Sequence, residues 1–134
     1  MNDDVTQVIE ACARAAYEGT LKFPEILQKL TAAGVEGYYT DLRRATNTYY
    51  LPNGESAVVT THDVGSPVAA RFDAAGVEAA VRRSQKGQHS YREFCREVVA
   101  AGCAGYLVSL LGRRVIYIGR TAESHVESFP GSTT

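Results

Sequence analysis

The sequence predicts an α+β domain in which helices pack on an antiparallel sheet. It is built from two tandem helix–helix–strand–strand units, each with a third strand, related by a pseudo-two-fold axis. Three observations carry this. The chain matches itself without a gap when slid by 68 positions. Four segments place apolar residues at helical spacing. Each pair of helical segments is followed by two aromatic-rich runs flanking turn residues.

The self-match pairs Glu10 with Glu78, Arg14 with Arg82, Gly19 with Gly87 and Glu25 with Glu93. AAGVEGYY (32–39) falls on AAGCAGYL (100–107), and Tyr49 on Tyr117. Two copies of a unit this long make one domain rather than a solenoid, with units of about 1–66 and 67–134 in a single domain spanning 1–134.

Asp4-x-x-Gln7 reads as the start of the first helix, with Val5, Val8, Ile9, Cys12 and Ala16 on one face and Gly19 as its stop. Pro24 suits the first turn of the second, whose buried face is Phe23, Ile26, Leu27 and Leu30. In the second unit Asp73 caps a helix carrying Val77, Ala80 and Val81 that ends at Gly87. Ser90-x-x-Glu93 is a capping box opening a helix with Tyr91, Phe94, Cys95 and Val98. Gly34 and Gly102 read as left-handed helix stops, which puts Val35 against Leu30 and Cys103 against Val98. GYYTDL and TNTYYL flank Arg43-Arg44, and GYLVSL and RVIYIG flank Leu111-Gly112. Two-residue turns would place Tyr38 opposite Tyr49 and Tyr106 opposite Tyr117; a bulge at Gly112 is the alternative register. Third strands are expected after PNGE (52–55) and TAES (121–124), and THDVGSPVAARFD (61–73) links the units.

With 134 residues, 45% hydrophobic and 22% charged, the chain has the makings of one globular core. A formal charge of −1 argues against a nucleic-acid partner. The charge is uneven: residues 1–60 carry net −3 and residues 61–134 net +2, so the second half is where an anionic ligand is expected. MNDDVTQ lacks the basic and apolar parts of a signal peptide, and no apolar run has the length of a membrane span, so a cytoplasmic protein away from the membrane is expected. Cys12, Cys95 and Cys103, an odd number without CxxC spacing, read as free thiols on apolar faces.

The run AGCAGYLVSLLGRRVIYIGRTAESHVESFP (101–130) resembles that of the YbcV-type proteins, small bacterial proteins often labelled "phage envelope protein". LKFPEILQKLTAAGVEGYYTDLRRATNTYYLPNGES (21–56) is also similar to them. The resemblance covers nearly the whole chain, most specifically in GRTAESHVESFP. It implies a domain of unknown function and supplies no catalytic residues.

The residue types richest in chemistry lie in Arg120-Thr-Ala-Glu-Ser-His-Val-Glu. If 122–128 is a strand, Glu123, His125 and Glu127 share a face, which suits proton transfer or a solvated strand surface. His125-x-Glu127 supplies two metal ligands without a third nearby, so no metal is expected. Arg120 is the candidate anion anchor, with Tyr117 and Tyr106 beside it. The pairs Arg43-Arg44, Arg82-Arg83 and Arg113-Arg114 could follow phosphates, but charged hairpin ends are ordinary. No GxGxxG, P-loop or GxSxG occurs, and no cofactor is expected.

Two functional readings follow. One is a non-catalytic module that binds an unassigned small molecule or protein in a groove where the units meet. The other is a small enzyme using Arg120, Glu123, His125 and Glu127, positions of which the first unit keeps Glu55 but has Pro52 for Arg120 and Ala57 for His125.

Overall fold

A computed structural model describes residues 1–130. The order of elements is α1 (Asp3–Glu18), α2 (Phe23–Ala32), β1 (Gly37–Asp41), β2 (Thr46–Tyr50), β3 (Ser56–Thr60), α3 (Ala74–Gln85), α4 (Tyr91–Ala100), β4 (Cys103–Ser109), β5 (Arg114–Gly119) and β6 (Ser124–Ser128). The six strands form one antiparallel sheet in the order β3-β2-β1-β4-β5-β6. This is an α+β architecture.

Alternation along the strands separates two faces. Tyr38, Thr40, Asn47, Tyr49, Tyr106, Val108, Val115 and Tyr117 are buried, while their neighbours other than Gly37 and Gly105 are more exposed, so the helices cover this one face. α1 lies against β3, α3 against β6, and α1 touches α4 across the middle. The core under the helices contains Ile9, Leu30, Val77, Val98, Val99 and Val108, all fully buried. On the other face the row Val58, Thr48, Tyr39, Leu107, Ile116 and Val126 crosses all six strands.

Two features sit at equal offsets in the halves. α2 and α4, and β3 and β6, begin and end 68 residues apart. Left-handed backbone also recurs at that spacing: Gly19 and Gly87, Gly34 and Gly102, Ala45 and Arg113, Gly54 and Ala122.

β1 and β4 pair where the halves meet, with Tyr38 opposite Val108 and Thr40 opposite Tyr106. Leu42 N donates to the Ala104 carbonyl at one end of this ladder, at 3.0 Å. At the other end Leu110 N donates to that of Glu36, at 2.9 Å. The approach is close: a Cβ on Gly37 would lie 2.8 Å from the Val108 carbonyl oxygen, and one on Gly105 would lie 2.7 Å from that of Thr40. Both glycines are strand residues that leave room for a neighbouring backbone.

The helix ends follow their side chains. Asp73 caps α3 through Gly76 N, and Ser90 and Glu93 form a reciprocal capping box on α4. At the first helix the cap is Asn2, not Asp4: its Oδ1 accepts from Val5 N at 2.9 Å, so both aspartates enter the first turn, where the helix dipole favours negative charge. α2 ends as expected: Val35 N donates to the Leu30 carbonyl and Gly34 N to that of Thr31, with Gly34 at φ 89°.

Tyr38 faces Tyr49, and Tyr106 faces Tyr117. The turns, however, are four residues long (42–45 and 110–113), each closing on a left-handed residue, Ala45 or Arg113. Asp41 Oδ1 holds the first by accepting from the amides of Arg43 and Arg44, and Ser109 Oγ holds the second by accepting from Gly112 N. Gly112 is in that turn; the bulge between β4 and β5 lies at Cys103–Gly105.

Gly34 and Gly102 share a φ of 89° but not their surroundings. A Cβ on Gly34 meets nothing, whereas one on Gly102 runs into the Arg71 carbonyl and Phe72 of the linker. Gly34→Ala should therefore cost about 1 kcal/mol, the penalty of a left-handed alanine, and Gly102→Ala at least about twice that. Urea midpoints check this. Equal losses would mean that the linker yields freely.

Candidate functional site

Between the helices and the inner face of the sheet lies a cavity of about 1020 Å³. Its floor spans the β1–β4 junction, and its walls come from α1, the start of α2, the end of α3 and the start of α4. Phenol rings dominate the interior. Tyr38 and Tyr49 lie 5.1 Å apart, Tyr106 and Tyr117 5.5 Å apart, and the hydroxyls of Tyr91 and Tyr106 are within 2.6 Å. Burial pushes all five phenols up in pKa, Tyr49 to about 12, so these rings are neutral.

Three polar side chains on this wall are under-satisfied. Thr40 is 3% exposed, and its hydroxyl lies beside that of Tyr106 without the alignment of a full hydrogen bond. Asn47 is 7% exposed; its Nδ2 donates to the Tyr49 hydroxyl at 3.0 Å, while its Oδ1 is unpaired. His89 Nδ1 is unpaired too; its Nε2 lies 2.6 Å from Glu97 Oε2, a contact too bent for a hydrogen bond, and Glu97 also pairs with Arg83 at 2.6 Å. Thr40 and Asn47 stand 68 positions from Val108 and Val115, which are buried on the same face.

Of the residues expected from sequence, Tyr106, Tyr117 and Glu127 line this cavity. His125 stands opposite Tyr117 on β6, with Nε2 2.6 Å from Glu127 Oε2. Glu123 lies just outside β6, in the preceding turn, where its carboxylate accepts from Thr121 Oγ1 at 2.7 Å and its carbonyl from Gly119 N. The left-handed Ala122 bends the chain there. Arg120 is in the same turn, donating to the Val68 carbonyl at 3.3 Å over a separate shallow pocket. The cation that meets Glu127 is instead Arg82 of α3, at 2.8 Å. Among the described residues no group of three or more His, Cys, Asp or Glu side chains is placed to hold a metal ion.

The cysteines are buried and free, and burial raises the thiol of Cys12 and pushes those of Cys95 and Cys103 to about 11, far from nucleophilic. The arginine pairs do not form one surface. The β1–β2 and β4–β5 turns lie at opposite ends of antiparallel neighbours, while Arg82 and Arg83 are engaged by Glu127 and Glu97.

Sequence reasoning missed Thr40, Asn47 and His89. The signal for the first two is in the self-match, as polar residues set against valines. His89 carries no such mark.

The fold and cavity define an α+β protein with a single six-stranded sheet and a phenol-lined chamber under its helices. Residues 21–126 match the family described as "Protein of unknown function (DUF1398)", and the chain belongs to that family. It is also 31% identical over 117 residues to uncharacterised proteins of Mycobacterium bovis and Mycobacterium tuberculosis, a match covering 80% of this chain and 66% of each of theirs. The match thus spans just under two thirds of those relatives. No helix among the described residues is long and apolar enough to cross a membrane.

Burial works against the Glu127 carboxylate, but hydrogen bonds and charge from Arg82 and His125 outweigh it and hold its pKa below the ordinary 4.5. The unfolded chain therefore takes up this proton first as pH falls. The ionised form stabilises the fold above about pH 4.5, and that contribution is lost as pH drops through the lower folded value. Glu127→Gln should lower the thermal midpoint at pH 7 and flatten its decline between about pH 5 and 3. Parallel curves for variant and wild type would mean that the Arg82 contact contributes nothing.

Proposed function

We propose that this protein is a binding module that holds a small organic molecule in the chamber between its helices and sheet, at the junction of two copies of one unit. The units are about 1–66 and 67–134. Their kinship is supported by the 68-residue offset common to the side-chain matches, the element bounds and the left-handed positions.

The observation that carries the binding reading is the pair Thr40 and Asn47. A buried polar atom without a partner costs roughly 1–3 kcal/mol. Val108 and Val115 occupy the corresponding places in the other half, so the packing has no need of polar groups there. A ligand that donates to Asn47 Oδ1 and meets the Thr40 hydroxyl gives both a partner. The chamber's size matches that of small-molecule sites, about 300–1,000 Å³. Neutral phenols, an amide and a hydroxyl suit recognition of a molecule more than proton transfer.

The second reading is acid–base chemistry at His125 and Glu127. It is favoured by their 2.6 Å contact, but Arg82 already engages the carboxylate, Arg120 donates to the Val68 carbonyl and Glu123 accepts from Thr121. Within the family, likeness to YbcV-type proteins rests on residues 101–130 and 21–56, and a cytoplasmic setting on the three free thiols.

The test is a thermal-shift screen of small organic molecules against wild type and a Thr40→Val, Asn47→Val double variant. Thr40→Val alone should raise stability by about 1 kcal/mol by removing an unpaired hydroxyl. Molecules that stabilise wild type should lose most of their effect on the double variant. Hits that stabilise both proteins equally, or a destabilised Thr40→Val, would refute the role of these residues.

A further inference from the structure

We propose that the ligand is an amphipathic organic anion, with an apolar or aromatic body inside the chamber and its negative group at the mouth. This rests on the binding reading above and adds the ligand's charge and orientation.

The interior cannot hold the charge. Its phenols are neutral, Glu127 on one wall is itself an anion, and no cationic side chain lies buried among the lining residues. An unpaired charge placed there would lose its hydration without compensation. The buried end of the ligand therefore carries at most a neutral hydrogen-bonding group, facing Asn47 and Thr40.

The mouth differs. The charged residues lining the mouth of the chamber are Arg14, Lys22, Arg92 and Arg96 against Glu10, Asp41 and Asp63. Asp41 and Asp63 are turned into their own loops, where Asp41 Oδ1 accepts from Arg43 N and Arg44 N and Asp63 Oδ1 from Gly65 N at 2.7 Å. Arg92 is fixed in place: its guanidinium carbon lies 3.7 Å from the Tyr17 ring centre, and its Nε donates to the Tyr17 carbonyl at 3.2 Å. His62 stacks on the same ring at 3.4 Å, and two groups this close must take opposite faces. Arg14 and Arg96 form no ion pair among the described residues. The exposed lining thus presents cations from both halves of the chain, α1 and α4. A carboxylate, sulfonate or phosphate at one end of a hydrophobic molecule fits both surfaces at once.

Two fluorescent probes with the same aromatic body separate the claims: anilinonaphthalenesulfonate, an anion, and uncharged N-phenylnaphthylamine. Both should bind folded wild type, the sulfonate about tenfold tighter at low salt, with the gap narrowing as salt is added. An Arg14→Gln, Arg96→Gln double variant, altered only at exposed positions, should bring the two affinities within about twofold. Ala16→Trp, which fills the chamber from α1, should lose both probes while keeping a cooperative thermal transition. If that variant does not fold, competition of each probe by the other on wild type decides whether they share a site. If neither probe binds wild type, the binding reading itself falls. If both bind equally and the arginine variants change nothing, the chamber binds but the anion proposal is overturned. Sulfonate binding that survives Ala16→Trp, or that the neutral probe does not compete, overturns it as well.

Discussion

The structure depends on one strand pairing. β1 and β4 run antiparallel along the line where the two halves meet, and each half supplies only three strands of the sheet. A three-stranded half with two helices has little core of its own. Joined at β1–β4, the halves share a continuous inner face on which Tyr38, Tyr49, Tyr106 and Tyr117 pack together. The pairing is tight enough that Gly37 and Gly105 have no room for a side chain beside the facing carbonyls. Backbone hydrogen bonds from Leu42 and Leu110 close its two ends.

The same pairing makes the chamber. α1 contacts β3, α3 contacts β6 and α4 contacts β4, and between them the inner face of the sheet is lined by phenol rings and helix ends. Large aromatic side chains fill such a space incompletely, and the remainder is walled by neutral phenols. Thr40 and Asn47 put unpaired polar atoms where valine would pack. Stability surrendered locally at a site is the usual mark of a surface kept for something other than folding. Glu127 lines one side of this chamber, and its pair with Arg82 ties α3 to β6.

Local chemistry was the legible part. Capping boxes, left-handed helix stops and the tyrosine registers are written in short stretches, and the structure agrees with them at Ser90, Gly34, Tyr38 and Tyr106. The cap at Asn2 was misassigned because an aspartate two residues later offers the same chemistry. Counting alternate residues groups Glu123 with His125 and Glu127 but does not show that the strand starts one residue later, or that Glu123 is engaged by Thr121. The Arg82–Glu127 pair spans 45 positions in sequence, and no periodicity connects them. The chamber was illegible for a different reason: it is a spacing between layers, set by how far the helices stand from the sheet, and no residue type encodes that distance.

Native-state hydrogen exchange at the amides of Leu42 and Leu110 tests the dependence on the seam most directly. If the two halves stand only together, both amides exchange solely through global unfolding, with the same free energy as the core amides of α2 and α4. If they exchange at a clearly lower free energy while either half stays protected, the halves fold independently and the seam is an interface rather than the foundation of the fold.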